Sequence, residues 1–466
     1  MKKFLLSASM LMVAGATFAV TDNVSYPPVK DLKIENQWIL DRVHAGTEAF
    51  EATVLFNTTS PSAYTDGETI YVATSGEQGM IHLFNFATGE YIKTLNLTLG
   101  GEAYGGTLCC NSVIADEYGH LVVAPFAANS DGLGEIKLYT VNVETAELTE
   151  VGSLLCDGIV GRIDYIDLIG DVTGVEAACT VMGGSSAADN LNVWNWKLPQ
   201  GGTDFEGGWS DGSFGTSISG TCPADLQGFG TATVLTIVRD GSKSGDMNLF
   251  YIDCFNGFPA LYSSEGALIE KLTDADLIHK DADGNVTSGT IPSPAAGANG
   301  IAEGVCNGIN LMAFPEGQYN DSHKCQAIIT AVDENMSMAS MEYLWMVPED
   351  GLGQTSDGGR RKHSMKFIEK EDGTYFFSYK GNNGMAVYKI SADGSVGKNI
   401  MSTAKIRVNG GVISVSEKAS SIEVYNVMGQ KVAQVNNASE VKAPAQGAYI
   451  VKATVNGKAV VAKVIL

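Results

Sequence analysis

Along residues 65–97 short β-rich runs alternate with turn chemistry. Asp66-Gly67 leads into the run 69–74, a Gly-flanked polar turn follows, residues 81–86 alternate apolar with polar, and Thr88-Gly89 turns into 91–97. Each run has strand length, and each break carries the residues that tight turns need. The same texture returns at 112–155, 162–198, 226–272, 300–348 and 363–390, so the pattern predicts one β-unit repeated along the body of the chain. No comparable run holds a helical period of 3.6 beyond the N-terminus.

A chain of 466 residues is longer than one hydrophobic core can serve, so it must divide into domains or repeat a unit. A Thr-Gly turn between a strand ending in aromatics and an alternating strand resembles one blade of a β-propeller, whose strands run outward from a central channel. The resemblance implies an all-β protein with a six-bladed propeller over 37–392. Seven blades follow instead if the insertion 199–225 hides weak strands. Residues 37–57 hold two strand-like runs and are expected to complete the blade begun by the last repeat, closing the ring and hiding its edges.

The N-terminus carries Lys2 and Lys3, an apolar run over 4–13 and small residues at Thr17-Phe18-Ala19. That is the pattern of a signal peptide, 1–19, followed by a flexible, proline-bearing lead-in, 20–36. No later stretch approaches the roughly 18 apolar residues of a spanning helix, so no transmembrane segment is expected. Residues 21–400 carry 20 basic against 50 acidic side chains, whereas 401–466 carry eight against three. The tail is therefore a different module, and so acidic a body argues against nucleic acid as a partner, because phosphates would be repelled.

From residue 401 short alternating strands follow one another, with Asn409-Gly410 and Asn456-Gly457 as hairpin turns. After a linker at 393–402, residues 403–466 read as a small immunoglobulin-like β-sandwich. The stretches Gly410-Gly411-Val412-Ile413-Ser414-Val415, Val424-Tyr425-Asn426-Val427-Met428-Gly429-Gln430-Lys431-Val432, and Gly447-Ala448-Tyr449-Ile450-Val451-Lys452 follow one another along this tail. Together with the terminal strand 458–466 they resemble the type A C-terminal sorting domain of type IX secretion substrates. The resemblance implies that Tyr425, Asn426, Gly429, Gly447, Tyr449, Val451 and Lys452 belong to a sorting motif and that the partner is the type IX secretion machinery. It also implies passage through the periplasm to the outer-membrane surface or the medium.

The body shows no H-E-x-x-H, G-x-S-x-G or G-x-x-x-x-G-K-[ST] pattern. Asp281-Ala282-Asp283-Gly284-Asn285 begins like a calcium loop, but Pro292 stands where a bidentate Glu is needed, so a solvent turn is expected. The six histidines lack ligand spacing, and neither metal nor cofactor is expected; His82, in an alternating strand, reads as a hydrogen-bonded structural residue. Arg360-Arg361-Lys362-His363 is a basic cluster that reads as a solvated loop. Cys306 and Cys325 bracket one expected hairpin and form the best pairing candidate among eight cysteines.

Trp194 and Trp196, two apart, face one side of a strand and are expected to fill the space between sheets. Phe205, Trp209 and Phe214 lie among Gly and Asp in a long insertion and are the candidate ligand-binding residues, since aromatic faces beside carboxylates suit sugar rings. The expected function is that of a secreted or cell-surface binding module for a glycan or protein. The alternative is a carbohydrate-active hydrolase or lyase with carboxylates at the channel mouth.

Overall fold

The computed structural model describes residues 19, 21, 24–41, 62–106, 108–129, 135–155, 161–187, 190–207, 233–239, 243–253, 259–264, 266–272, 279–280, 286–288, 300–315, 325–353, 364–381, 383–392, 406–409, 412–426, 431–442, 445, 448–455 and 458–465. The contacts divide the chain into two compact units, Met1–Ser391 and Ala392–Leu466. Among the described residues both units are built of strands, and the sole helical element is a single 3-10 turn, Met338–Ser340.

Among the described residues of the first unit, six sheets of four or more strands follow one another. The first is a plain antiparallel meander: Ala63–Thr65, Thr69–Thr74, Met80–Asn85 and Tyr91–Asn96. Its opening hairpin is made by Asp66, whose Oδ1 accepts the amide hydrogens of Glu68 and Thr69 at 2.8 and 2.7 Å, and by Gly67, whose φ of 91° suits only glycine. The corresponding first strands of the other sheets are Ser112–Ala115, Gly161–Gly170, Val234–Ile237, Ala302–Cys306 and Ser364–Glu369, setting aside the short Thr98–Leu99, Glu102–Ala103 and Ala127–Asn129 that join the second and third sheets from earlier in the chain.

Apolar side chains of each sheet alternate between its two neighbours. Val122 and Ile136 pack toward the third sheet, while Val123 and Tyr139 pack toward the first. The remaining seams are filled in the same way, and the last joins the sixth sheet to the first through Trp38, Leu40, Ile70, Val72, Phe84 and Val387. The six sheets thus pack in cyclic order, the arrangement of a β-propeller. Of the insertion 199–225, the described part ends in the short strand Glu206–Gly207, and residues 208–225 lie outside the described residues.

The sixth sheet takes its outer strand from the N-terminus: Leu32–Leu40 lies beside Met385–Ala392. That strand starts inside the stretch assigned above to a flexible lead-in. The turn at Lys30 and Asp31, with φ of 51° and 59°, redirects the chain into it. Upstream of the turn, Trp345 Nε1 donates to the Pro27 carbonyl at 2.9 Å, and the Glu349 amide donates to the Tyr26 hydroxyl at 2.9 Å. Residues 42–61, the rest of the expected closing segment, lie outside the described residues.

Trp194 and Trp196 fill a seam as expected, buried with ring centroids 5.8 Å apart. His82 is neutral in character: burial pushes it down to about 4, and its ring nitrogens meet the hydroxyls of Thr74 at 3.1 Å and Thr94 at 2.7 Å. Cys306 and Cys325 are buried in one core between the fifth and sixth sheets.

In the second unit one hydrogen-bonded sheet holds five strands, with Val412–Asn426 at its centre. The first part of that strand pairs Ile406–Asn409, its last part pairs Ala448–Val455, and Lys431–Lys442 runs along it on the other side. Shifts of register between Ser414 and Ala419 let the long strand change course. Ile413, Ile422, Val424, Val451, Ala453 and Val455 make its core.

Candidate functional site: the central cavity

The first strands of the six sheets surround a cavity of about 1050 Å³. Its wall is mixed: Val113, Ile301, Met336, Met365 and Phe367 supply apolar surface, and Tyr64, Glu117, Asp167, Arg239, Glu303 and Lys366 supply charge and hydrogen bonds. Strand periodicity places these groups. Asp167, Glu303 and Lys366 occupy inward positions of strands whose alternate side chains pack in the seams, while Glu117 and Arg239 follow the ends of first strands.

Arg239 is the centre of the charged group. Nη2 donates to Asp167 Oδ1 at 2.8 Å and to the Leu168 carbonyl at 2.9 Å. Nη1 donates to the Ile237 carbonyl at 3.0 Å and to Asp167 Oδ2 at 3.3 Å, and Nε reaches Glu117 Oε1 at 3.2 Å. All five N–H groups are engaged, so this guanidinium organises the wall and is not free to seize an anionic ligand. Its side chain keeps 38% exposure although protein surrounds it, because the surface it exposes opens onto the cavity.

The acids around it differ. Asp167 is braced further by the amides of Leu168 and Ile237, at 3.0 and 2.8 Å. Glu117 accepts the Gly170 amide at 2.5 Å, yet burial holds its carboxyl above the usual range. Glu303 accepts the Arg239 amide at 2.5 Å; burial pushes it up to about 7, which the arginine opposes and the Asp167 charge assists. Across the cavity, burial and then Arg239 push Lys366 down to about 8. Its ammonium donates to the Thr65 carbonyl at 2.9 Å and to the Tyr64 hydroxyl at 3.2 Å, and lies 4.3 Å from the Tyr64 ring centroid. The cavity therefore holds a carboxyl and an amine that both change protonation close to neutral pH, the property expected of working groups.

The Glu303 shift has a sign that can be measured. Between its unfolded value near 4.5 and about 7, the folded state holds a proton that the unfolded state has lost, so this residue's contribution to stability falls as pH rises through that window. Glu303→Gln mimics the protonated form. It is expected to match the wild type in guanidinium unfolding at pH 5 and to exceed it at pH 8, by on the order of 1–3 kcal/mol. An equal difference at both pH values would contradict the buried-acid account.

Asp116, His120 and Asp171 also lie together, with His120 Nδ1 2.8 Å from Asp116 Oδ2 and 3.5 Å from Asp171 Oδ1. Their carboxylates already serve the chain. Asp116 accepts the amides of Tyr118, His120 and Val172, and Asp171 accepts Thr173 and Glu176. The group serves as a clasp between turns of the second and third sheets, its carboxylates engaged by main-chain amides of both.

The sequence-proposed ligand platform fares differently. Phe205 is buried in the seam between the second and third sheets, where its ring sits over Gly152; a Cβ there would come within 2.7 Å of it. It is a core residue, because the short strand Glu206–Gly207 pairs with Asn190–Leu198 and draws the chain inward. Trp209 and Phe214 lie outside the described residues, as do Arg360–His363 and Asp281–Asn285. In the second unit Tyr425 and Asn426 end the central strand, with the Tyr425 hydroxyl on Glu423 Oε2 at 3.0 Å. Tyr449 and Val451 are buried in the core, the former donating to the Ala445 carbonyl at 3.1 Å, and Lys452 pairs with Glu423 across the sheet. Gly429 and Gly447 lie outside the described residues.

The cavity group was missed because it has no linear motif. The available signal was a charged residue set among apolar ones in three strands, Asp167 in Gly161–Gly170, Glu303 in Ala302–Cys306 and Lys366 in Ser364–Glu369.

No protein-family model matches the chain, and no curated protein matches it. Among solved structures, 82% of the chain aligns with all of the α-L-arabinofuranosidase Arb93A from Fusarium graminearum, at 10% identity and a TM-score of 0.38. Another alignment covers 88% of the chain and 98% of Sqt1 from Saccharomyces cerevisiae, at 11% identity and a TM-score of 0.32. Likeness at this level carries no argument about activity, and the fold assignment rests on the packing of the sheets themselves.

Proposed function

We propose that the protein is a six-bladed propeller that binds a glycan in its central cavity, and that an immunoglobulin-like sorting domain exports it by type IX secretion to the cell surface or medium. The cavity wall carries the ligand reading. Sugar rings combine apolar C–H faces with hydroxyls that both donate and accept. Phe367, Met365 and Ile301 offer surface to the first, while Lys366, Glu117 and Glu303 offer partners to the second. The volume of about 1050 Å³ leaves room for more than one ring.

Calorimetric titration of the mature chain with defined oligosaccharides tests this. Lys366→Met removes the ammonium while keeping a stem of similar length, and is expected to weaken binding about tenfold, or about 1.4 kcal/mol. Absence of binding across uncharged and uronate-containing glycans alike, or identical affinity in the variant, would reject the cavity as the glycan site.

A second reading, a hydrolase or lyase, is favoured by one observation: Glu303 near 7 is a carboxyl able to donate a proton at neutral pH, with the Glu117 carboxylate on the same wall. New reducing ends or unsaturated products that disappear in Glu303→Gln would decide for it, and binding without turnover would decide for the module.

A further inference from the structure

Between the first and second sheets two neighbouring cysteines, Cys109 and Cys110, are buried in the same core with their sulfurs 3.8 Å apart. The main chain around them is shaped for this. Leu108 adopts a φ of 58°, the Cys110 amide donates to Ser75 Oγ at 3.1 Å, and Tyr104 holds the Cys109 carbonyl at 3.1 Å. Space is cleared opposite: a Cβ on Gly79 would lie 2.8 Å from the Cys110 sulfur and 3.0 Å from that of Cys109. Two small apolar residues in a core would need neither the sulfur-to-sulfur contact nor a glycine facing both atoms.

The two thiols are also unlike. The contact with Cys110 draws Cys109 down to about 6 against the opposing effect of burial, with the Gly76 backbone and Ser75 adding to it. Cys110, more deeply buried, is pushed well above the ordinary thiol range by its contact with Cys109 and by burial. The asymmetry favours the sulfur of Cys109 as the attacking atom and leaves the proton with Cys110. Cys179, Cys306 and Cys325 belong to other cores.

We propose that Cys109 and Cys110 are a vicinal redox pair, which closes to a disulfide between adjacent residues on meeting a disulfide-bearing oxidant. The Cys109 thiolate attacks one sulfur of the oxidant, forming a mixed disulfide and expelling the oxidant's other sulfur as a thiolate. Cys110 gives its proton to that thiolate, and its sulfur attacks the Cys109 sulfur, expelling the second half of the oxidant as a thiolate that takes from water the proton Cys109 had released to it. Two cysteine thiols become one disulfide, and the oxidant takes up two electrons and two protons to become two thiols. The closed ring would hold the chain just before Ser112–Ala115, the strand that brings Val113, Ile114 and Ala115 to the cavity wall.

The test uses the full mature chain, fully reduced and then equilibrated with glutathione buffers of increasing oxidised fraction. The mixture is acid-quenched, alkylated after denaturation, and peptide-mapped by mass spectrometry. The expected result is a peptide containing both residues that lacks alkyl groups and is lighter than its reduced form by two hydrogens. It should form at a lower oxidised fraction than any bond to another cysteine, and in Cys109→Ser the Cys110 thiol should remain alkylatable. A doubly alkylated peptide in the most oxidising buffer would overturn the proposal, as would glutathione attached to one residue with no internal bond. So would a bond from either sulfur to a distant cysteine.

Discussion

Replacing Asp167 with alanine is expected to cost the first unit about 2–4 kcal/mol of stability, the largest effect among single substitutions at the cavity. Its carboxylate meets two nitrogens of Arg239 and also accepts the amides of Leu168 and Ile237, which tie the third sheet to the fourth. Removing it strands a guanidinium and leaves two amides without this acceptor. Breaking a fully buried pair costs about 3–5 kcal/mol. The value here is set lower because Arg239 opens onto the cavity, where water can solvate part of its charge. Guanidinium unfolding measures it, and the partner variant sharpens it. Arg239→Met in the Asp167→Ala background should restore part of the loss, since the guanidinium that lost its main partner is then gone, while Glu117 keeps the Gly170 amide. A single-variant loss below about 0.5 kcal/mol, typical of a surface site, would show that the network does not hold the two sheets together.

Deleting residues 457–466 is expected to abolish appearance of the protein outside the cell while the propeller stays folded. Lys458–Ile465 pairs with Ala448–Val455 along eight positions, from Ala448 opposite Ile465 to Val455 opposite Lys458. Without it that strand, which bears Tyr449, Val451 and Lys452, becomes an open edge with unpaired amides and carbonyls. The core of the second unit is composed of its own residues, so the damage should stay within it. Fractionation with an antibody to the body would then find truncated protein in the periplasm and intact protein at the surface or in the medium. Equal external levels of the two forms would remove the basis for reading 403–466 as a sorting domain.

Much of the fold was legible because its signals are local. Asp66-Gly67 and the runs around it specify a hairpin whatever surrounds them, and the tail is set apart by charge and by its own strand texture. The closing strand was placed too late, at 37, because Leu32 and Ile34 follow a proline-bearing stretch whose order comes from distant partners: Trp345 for Pro27, and Glu349 for Tyr26. Phe205 was misread for a related reason. Phe205 has the neighbours of a surface loop in sequence, but pairing of Glu206–Gly207 with a preceding strand carries it into a seam.

By itself, then, the sequence determined strand and turn alternation, which depends on each residue's own backbone preference and on side chains two positions apart. Only the tertiary structure decided the cavity. Glu117, Asp167, Arg239, Glu303 and Lys366 come from five different sheets, and they meet because each sheet presents its first strand to a common centre. Their altered proton affinities follow from that convergence, since burial and the charge of Arg239 act on Glu303 and Lys366 through space and not along the chain.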